Sequence, residues 1–291
     1  MKVKNSVILL VLLLFVSLSG LYAKNKKLRF AFMTDIHLNK ENSNDRYNGL
    51  QQALDKAEKS NVDFILLGGD VFDISGMGSS LEKSVADSLY KVYKQIFEER
   101  NISFYPTLGN HDRLFNESIG YVEGDELFKS YFGESYYKFE QKGVYFFVLN
   151  SVQNNPEGGY YINKKQLEWL KKELSELSSS DPVVLSTHVP FYSLYYPLVE
   201  NRYVFLDVIT NYKEVLDVLK DYNIQLVLQG HQHIHEEILL QNIQFITGGA
   251  VCANWWNGPF YGTKEGFLLV EIDKQNKFTW EYVSYGWEAK K

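Results

Sequence analysis

Five short apolar runs in this chain end in the same way, each on a residue able to bind a metal ion. Residues 28–34 (LRFAFMT) run into Asp35, 62–67 (VDFILL) through two glycines into Asp70, and 102–108 (ISFYPTL) through Gly109 into Asn110. Residues 183–187 (VVLST) lead into His188, and 224–229 (IQLVLQ) pass through Gly230 into His231. Helix-like amphipathic segments lie between them, at 46–60, 80–100, 164–177 and 205–222. Short apolar runs alternating with amphipathic stretches are the α/β pattern. In parallel α/β sheets the loops at the carboxyl ends of the strands share one edge, where ligands bind. Five metal-competent groups at five strand ends are therefore expected to converge.

The last third changes character. Residues 234–240, 243–246, 267–272 and 278–285 read as strands joined by short turns, antiparallel strands that complete a second sheet. No repeat, low-complexity tract or Pro/Gly-rich linker divides the chain, so its 291 residues read as one large domain. A chain of this length buries enough surface to fold without disulfides or a structural metal.

The N-terminus reads as a targeting segment. Lys2 and Lys4 precede an apolar stretch at 7–18, which relaxes through Ser19, Gly20 and Ala23 before Lys24. The stretch fits a secretory signal and falls short of the ~20 residues that cross a bilayer. Residues 1–23 are expected to be a signal peptide and 24–291 the working domain, periplasmic or secreted; an uncleaved membrane anchor is the alternative. Without the leader, 28 basic residues face 36 acidic ones, a net charge of −8. That argues against nucleic acid as a partner. It leaves room for a small phosphorylated substrate, because bound metal ions invert the local field. No obligate protein partner is evident. Cys252 is the sole cysteine, excludes an internal disulfide, and reads as a small buried apolar residue.

Of six histidines, His37, His111, His188, His231 and His233 fall at or just past the strand ends, and His235 reads as a surface residue or one packed beside them. Asp35 and His37 are two apart, which in extended chain puts both on one face about 6.6 Å apart. His231 and His233 repeat the spacing. Asp70, in G-G-D-V-F-D, follows glycines that allow a tight turn. Asn110, His111 and Asp112 form G-N-H-D, the more specific signal, since an amide oxygen is an unusual metal ligand.

In order and spacing, D-x-H, G-D-x-x-D, G-N-H-D, a lone His and G-H-x-H resemble the calcineurin-like metallophosphoesterase superfamily, from Asp35 to His233. The resemblance implies a four-layer αββα sandwich of two mixed β-sheets flanked by helices. It implies one ion held by Asp35, His37, Asp70 and His233, and another by Asp70, Asn110, His188 and His231, with Asp70 bridging. The mixed donors suit manganese, iron or zinc, as divalent or trivalent ions. His111 would stabilise or protonate the leaving oxygen, with Asp112 orienting its ring. The implied activity is hydrolysis of phosphomono- or phosphodiesters of small molecules; an inactive metal- or partner-binding protein on the same scaffold is the alternative. The family's Ser/Thr protein phosphatases place Arg-Gly after the second Asp of G-D-x-x-D and Glu after G-N-H. Here Ile74-Ser75 and Asp112 stand there. The pattern is more similar to bacterial class III cyclic nucleotide phosphodiesterases and small-molecule phosphoesterases. It is less similar to purple acid phosphatases, whose iron-ligand Tyr beside Asp70 is missing.

Some residues carry two readings. Asp73 either caps a turn and hydrogen-bonds groups behind the ligands or acts directly in catalysis. Trp255, Trp256 and Tyr192, with neighbouring rings, either pack in the interior or form a stacking wall beside the metals.

Overall fold

The computed structural model describes residues 28–39, 44–76, 79–204 and 207–289. The expected signal peptide lies outside them. In chain order the elements are β1 (Leu28–Met33), α1 (Asn44–Lys59), β2 (Phe64–Leu67), α2 (Lys83–Glu98), β3 (Ser103–Pro106), α3 (Glu126–Phe132), β4 (Tyr137–Gln141) and β5 (Val144–Val148). There follow α4 (Lys164–Ser175), β6 (Val183–Ser186), α5 (Tyr195–Val199), α6 (Tyr212–Leu219), β7 (Ile224–Gln229), β8 (His235–Leu240), β9 (Ile243–Gly248), β10 (Gly266–Ile272) and β11 (Phe278–Ser284).

Two mixed sheets form, with strand orders β11-β10-β1-β2-β3 and β8-β9-β7-β6-β5-β4. In the first, β1, β2 and β3 run parallel, Phe30 opposite Phe64 and Phe64 opposite Ser103. In the second, β5, β6, β7 and β9 run parallel, and β4 and β8 close the edges antiparallel. Period-2 alternation then sets the layers. Phe30, Phe32, Phe64, Leu66, Phe146, Leu226, Leu228, Leu268 and Val270 point between the sheets and form one core. Ala31, Met33, Ile65, Leu67, Leu185 and Val227 point the other way, into a core shared with Leu50 and Leu54 of α1, Tyr90 and Phe97 of α2, Leu170 of α4 and Val215 of α6. Strands buried on both faces read as continuous apolar runs, as these do. The expected four layers are present.

Three expectations need correction. The five strand ends lie on two facing sheets, three on one and two on the other, instead of along a single edge. The late strands do not complete one sheet: β8 and β9 join the second sheet, while β10 and β11 return to the first beside β1. Among the described residues the helix expected at 205–222 is Tyr212–Leu219, preceded by a bridge from Ile209 to Tyr160 and a turn at 210–211. The β4–β5 hairpin is an addition; its sequence signal is alternation on both sides of Lys142-Gly143, a two-residue turn with both residues at positive φ. Among the described residues no helix is long and apolar enough to cross a membrane.

Candidate metal centre

At the carboxyl ends of β1 and β2 the chain leaves the sheet through left-handed turns. Asp35, His37, Asp70, His231 and His233 all have φ between 50° and 72°. Such conformations cost non-glycine residues of order 1–3 kcal/mol each and cluster at functional sites. The pairs Asp35/His37 and His231/His233 therefore converge through turned backbone, in place of the extended alternation their spacing suggests. Hydrogen bonds lock the turns: Asp35 N–H donates to Gly69 O at 2.9 Å, His37 N–H to Asp70 O at 3.0 Å, and Cys252 N–H to Asp35 O at 3.2 Å. Gly69, at φ 93°, is required, since a Cβ there would stand 2.6 Å from His188 Nδ1.

The side chains meet in one buried cluster. Asp70 Oδ2 lies 3.1 Å from His188 Nε2 and 3.7 Å from His37 Nε2, between the two rings. Asp35 Oδ1 lies 3.4 Å from His233 Nε2 and 3.9 Å from His37 Nε2. Asn110 Oδ1 stands 3.0 Å from His188 Nε2. His231 brings a nitrogen within 4.8 Å of the Asp70 and His188 donor atoms. All seven residues expected as ligands are thus assembled.

Hydrogen bonds behind the rings assign the tautomers. His37 Nδ1 donates to Asp73 Oδ1 at 2.6 Å, and His233 Nδ1 to the Ala253 carbonyl at 2.6 Å. Both protons are spent there, yet His37 Nε2 and His233 Nε2 face each other at 3.0 Å. Two lone pairs at that distance repel unless a proton or a cation lies between them. Burial lowers the pKa of His37 despite Asp73. On His233 burial is outweighed by Cys252 and Asp35, which raise the pKa well above the ordinary value. In the protein alone a His233 proton therefore fills the gap that an ion would take over on binding. Two nitrogens each ~2.1 Å from one transition-metal ion sit about 3.0–3.4 Å apart. The donor set fits a metal.

Electrostatics in the protein alone agree. Burial works to raise the Asp70 pKa, but His188, His111 and His37 hold it well below the usual carboxylate range. Burial opposes charge on His188, but Asp70 and Asp35 raise it to about 9. Metal uptake at such a cluster displaces protons.

The remaining expected site residues divide. His111 sits at the margin, 4.9 Å from the His37 ring, its main-chain N–H donating to Asp70 Oδ1 at 2.8 Å. Asp112 does not orient that ring. Its carboxylate accepts four backbone N–H groups, from Asp70, Val71, Phe72 and Gly109, at 2.8–3.0 Å. The carboxylate beside His111 is Asp73, 3.4 Å from Nδ1. Trp255 stacks on His233 at 4.1 Å and is 39% exposed, at the rim of the cluster. Trp256 and Tyr192 do not reach it. Trp256 is buried against Trp287 and donates to Ile36 O at 2.8 Å; Tyr192 packs on Tyr212 and Phe245. His235 stacks on Tyr282. One further residue stands at the cluster, Asp207, whose Oδ1 accepts from His231 Nε2 at 2.8 Å.

Residues 28–235 match the family model described as calcineurin-like phosphoesterase. The chain belongs to the calcineurin-like phosphoesterase family. Human serine/threonine-protein phosphatase CPPED1 is 25% identical over 203 residues, 69% of this chain and 62% of its own. Rat (Rattus norvegicus) tartrate-resistant acid phosphatase type 5 is 25% identical over 211 residues, 65% of this chain and 61% of its own. The chain thus spans about three-fifths of the length of these relatives. A dimetal phosphatase structure from Danio rerio shares the fold with a TM-score of 0.63 at 13% identity, covering 90% of this chain and 99% of that one. The Plasmodium protein GAP50, described as the anchor in the inner membrane complex, shares it with a TM-score of 0.59 at 19% identity, covering 90% and 86%.

Proposed function

We propose that this chain is a metal-dependent phosphoester hydrolase acting on small phosphate mono- or diesters outside the cytoplasm. One observation carries the reading: two imidazoles whose Nδ1 atoms are engaged behind them turn their Nε2 atoms on each other at 3.0 Å, beside Asp35 and Asp70. The names of the relatives, two phosphatases, support it.

Asp35, His37, Asp70 and His233 would hold one ion, and Asp70, Asn110, His188 and His231 the other. Two bound ions of manganese, iron or zinc would supply Lewis acidity and a water acidified to near neutral. The Asp70 carboxylate, with Oδ2 between the two sets, is the shared group. Burial lowers the His111 pKa, but Asp70 and Asp73 more than offset it and raise it. The ring, at the margin of the cluster, would give a proton to the departing oxygen, and Asp73 faces its Nδ1 at 3.4 Å. Trp255 offers a flat apolar face to the leaving group. The apolar leader at 7–18 supports export, which N-terminal sequencing of the secreted protein would check at Lys24.

A scaffold without catalysis is the second reading, favoured by the shared fold of the GAP50 anchor. The full set of donors, with His111 beside it, weighs against loss of chemistry. A panel of mono-, di- and cyclic phosphate esters assayed with manganese, iron or zinc separates the two. Hydrolysis requires turnover that chelation abolishes; no turnover with any of these ions leaves the scaffold reading standing.

A further inference from the structure

Each imidazole in the cluster is held from behind, and the holders alternate. In the set around Asp35, His37 is backed by the Asp73 carboxylate at 2.6 Å and His233 by the Ala253 carbonyl at 2.6 Å. In the set around Asn110, His188 is backed by the Gly68 carbonyl at 2.8 Å and His231 by the Asp207 carboxylate at 2.8 Å. Each set has one carbonyl-backed and one carboxylate-backed ring.

We propose that Asp207 is the positioning residue for the second ion, the one assigned to Asp70, Asn110, His188 and His231. The inference rests on the two-ion reading. By accepting from His231 Nε2, Asp207 fixes the proton on that atom and leaves Nδ1 as the donor toward the ion. A carboxylate behind a ligating imidazole also raises its basicity, and such partners are worth about 10–100-fold in metal affinity. The carboxylate is itself held. Gln232 Nε2 donates to its Oδ2 at 3.2 Å and to its main-chain oxygen at 3.3 Å, and the Tyr196 hydroxyl donates to it from α5. Asp73 reaches His37 from the same loop as Asp70. Asp207 reaches His231 from a separate segment, so it ties the α5 region to the second set.

The test is calorimetric titration of the full chain with Mn²⁺, for wild type, Asp207→Ala and Asp207→Asn, with metal content and melting temperature measured alongside. Two ions are expected in wild type. In Asp207→Ala one ion keeps its affinity and the other weakens about 10–100-fold. Asp207→Asn, whose amide oxygen still accepts from Nε2–H, recovers most of that loss. Wild-type affinity for both ions in Asp207→Ala overturns the inference. So does equal weakening of both with a lowered melting temperature, the mark of a merely structural role. A wild-type protein that binds fewer than two ions overturns the two-ion reading, and the inference with it.

Discussion

The layer between the two sheets and the loop edge above it are both buried, yet they are built by opposite means. Between the sheets, Phe30 stacks on Phe64 at 4.9 Å and meets Phe146 edge-on at 5.4 Å, in ordinary strand backbone. At the edge, Asp35, His37, Asp70, His188 and His233 are no more than 2% exposed although all are ionisable. Four of those five sit in left-handed backbone. The apolar layer gains free energy from burial, at roughly 1.5–3 kcal/mol per large side chain. The edge spends part of it on strain and on desolvated charge, which a rigid layer beneath allows it to hold. Stability and chemistry therefore occupy adjacent but separable strata.

The sharpest way to break that division is at neighbouring residues of G-N-H-D. His111→Ala is expected to lower kcat by about 10²–10⁴ with both ions retained and the melting temperature little changed. Asp112→Ala leaves four buried amides without an acceptor, at about 1–3 kcal/mol each, and is expected to lower stability by several kcal/mol. Kinetics and thermal unfolding on both variants check the contrast; equal loss of activity and stability in the two would erase it. In the layer below, Phe30→Ala is expected to cost about 3–5 kcal/mol in denaturant unfolding while the folded fraction keeps wild-type kcat. The smallest effect is at the rim. Trp255→Ala should raise KM for an aromatic ester by up to about tenfold, with kcat and the melting temperature unmoved.

Much of the edge was legible because its residues follow apolar runs directly. Asp35, Asp70, Asn110, His188 and His231 each sit within four residues of a strand end, so locating strands located donors. The backbone that aims them was not legible, since Asp and His at positive φ carry no sequence mark comparable to glycine. The outer partners were harder still. Asp207 lies in a stretch whose amphipathic pattern reads as helix, and only the tertiary fold brings it to His231. Asp112 misleads for a related reason: adjacency to His111 in sequence is not adjacency in space, and a carboxylate facing four amides cannot also face a ring. The two tryptophans make the same point, neighbours in sequence with one at the rim and one beneath α1. The division of the late strands between two sheets depends on which edges remain open, a global property that local turns do not encode.

Metal content after saturation with Mn²⁺ and gel filtration, measured on wild type and Asp70→Asn, probes the heart of this account. Two ions per wild-type chain and fewer in the variant are predicted, because Asp70 is the carboxylate both sets share. A wild-type chain that retains no ion, or an Asp70→Asn chain that retains two with full phosphoesterase activity, would contradict it.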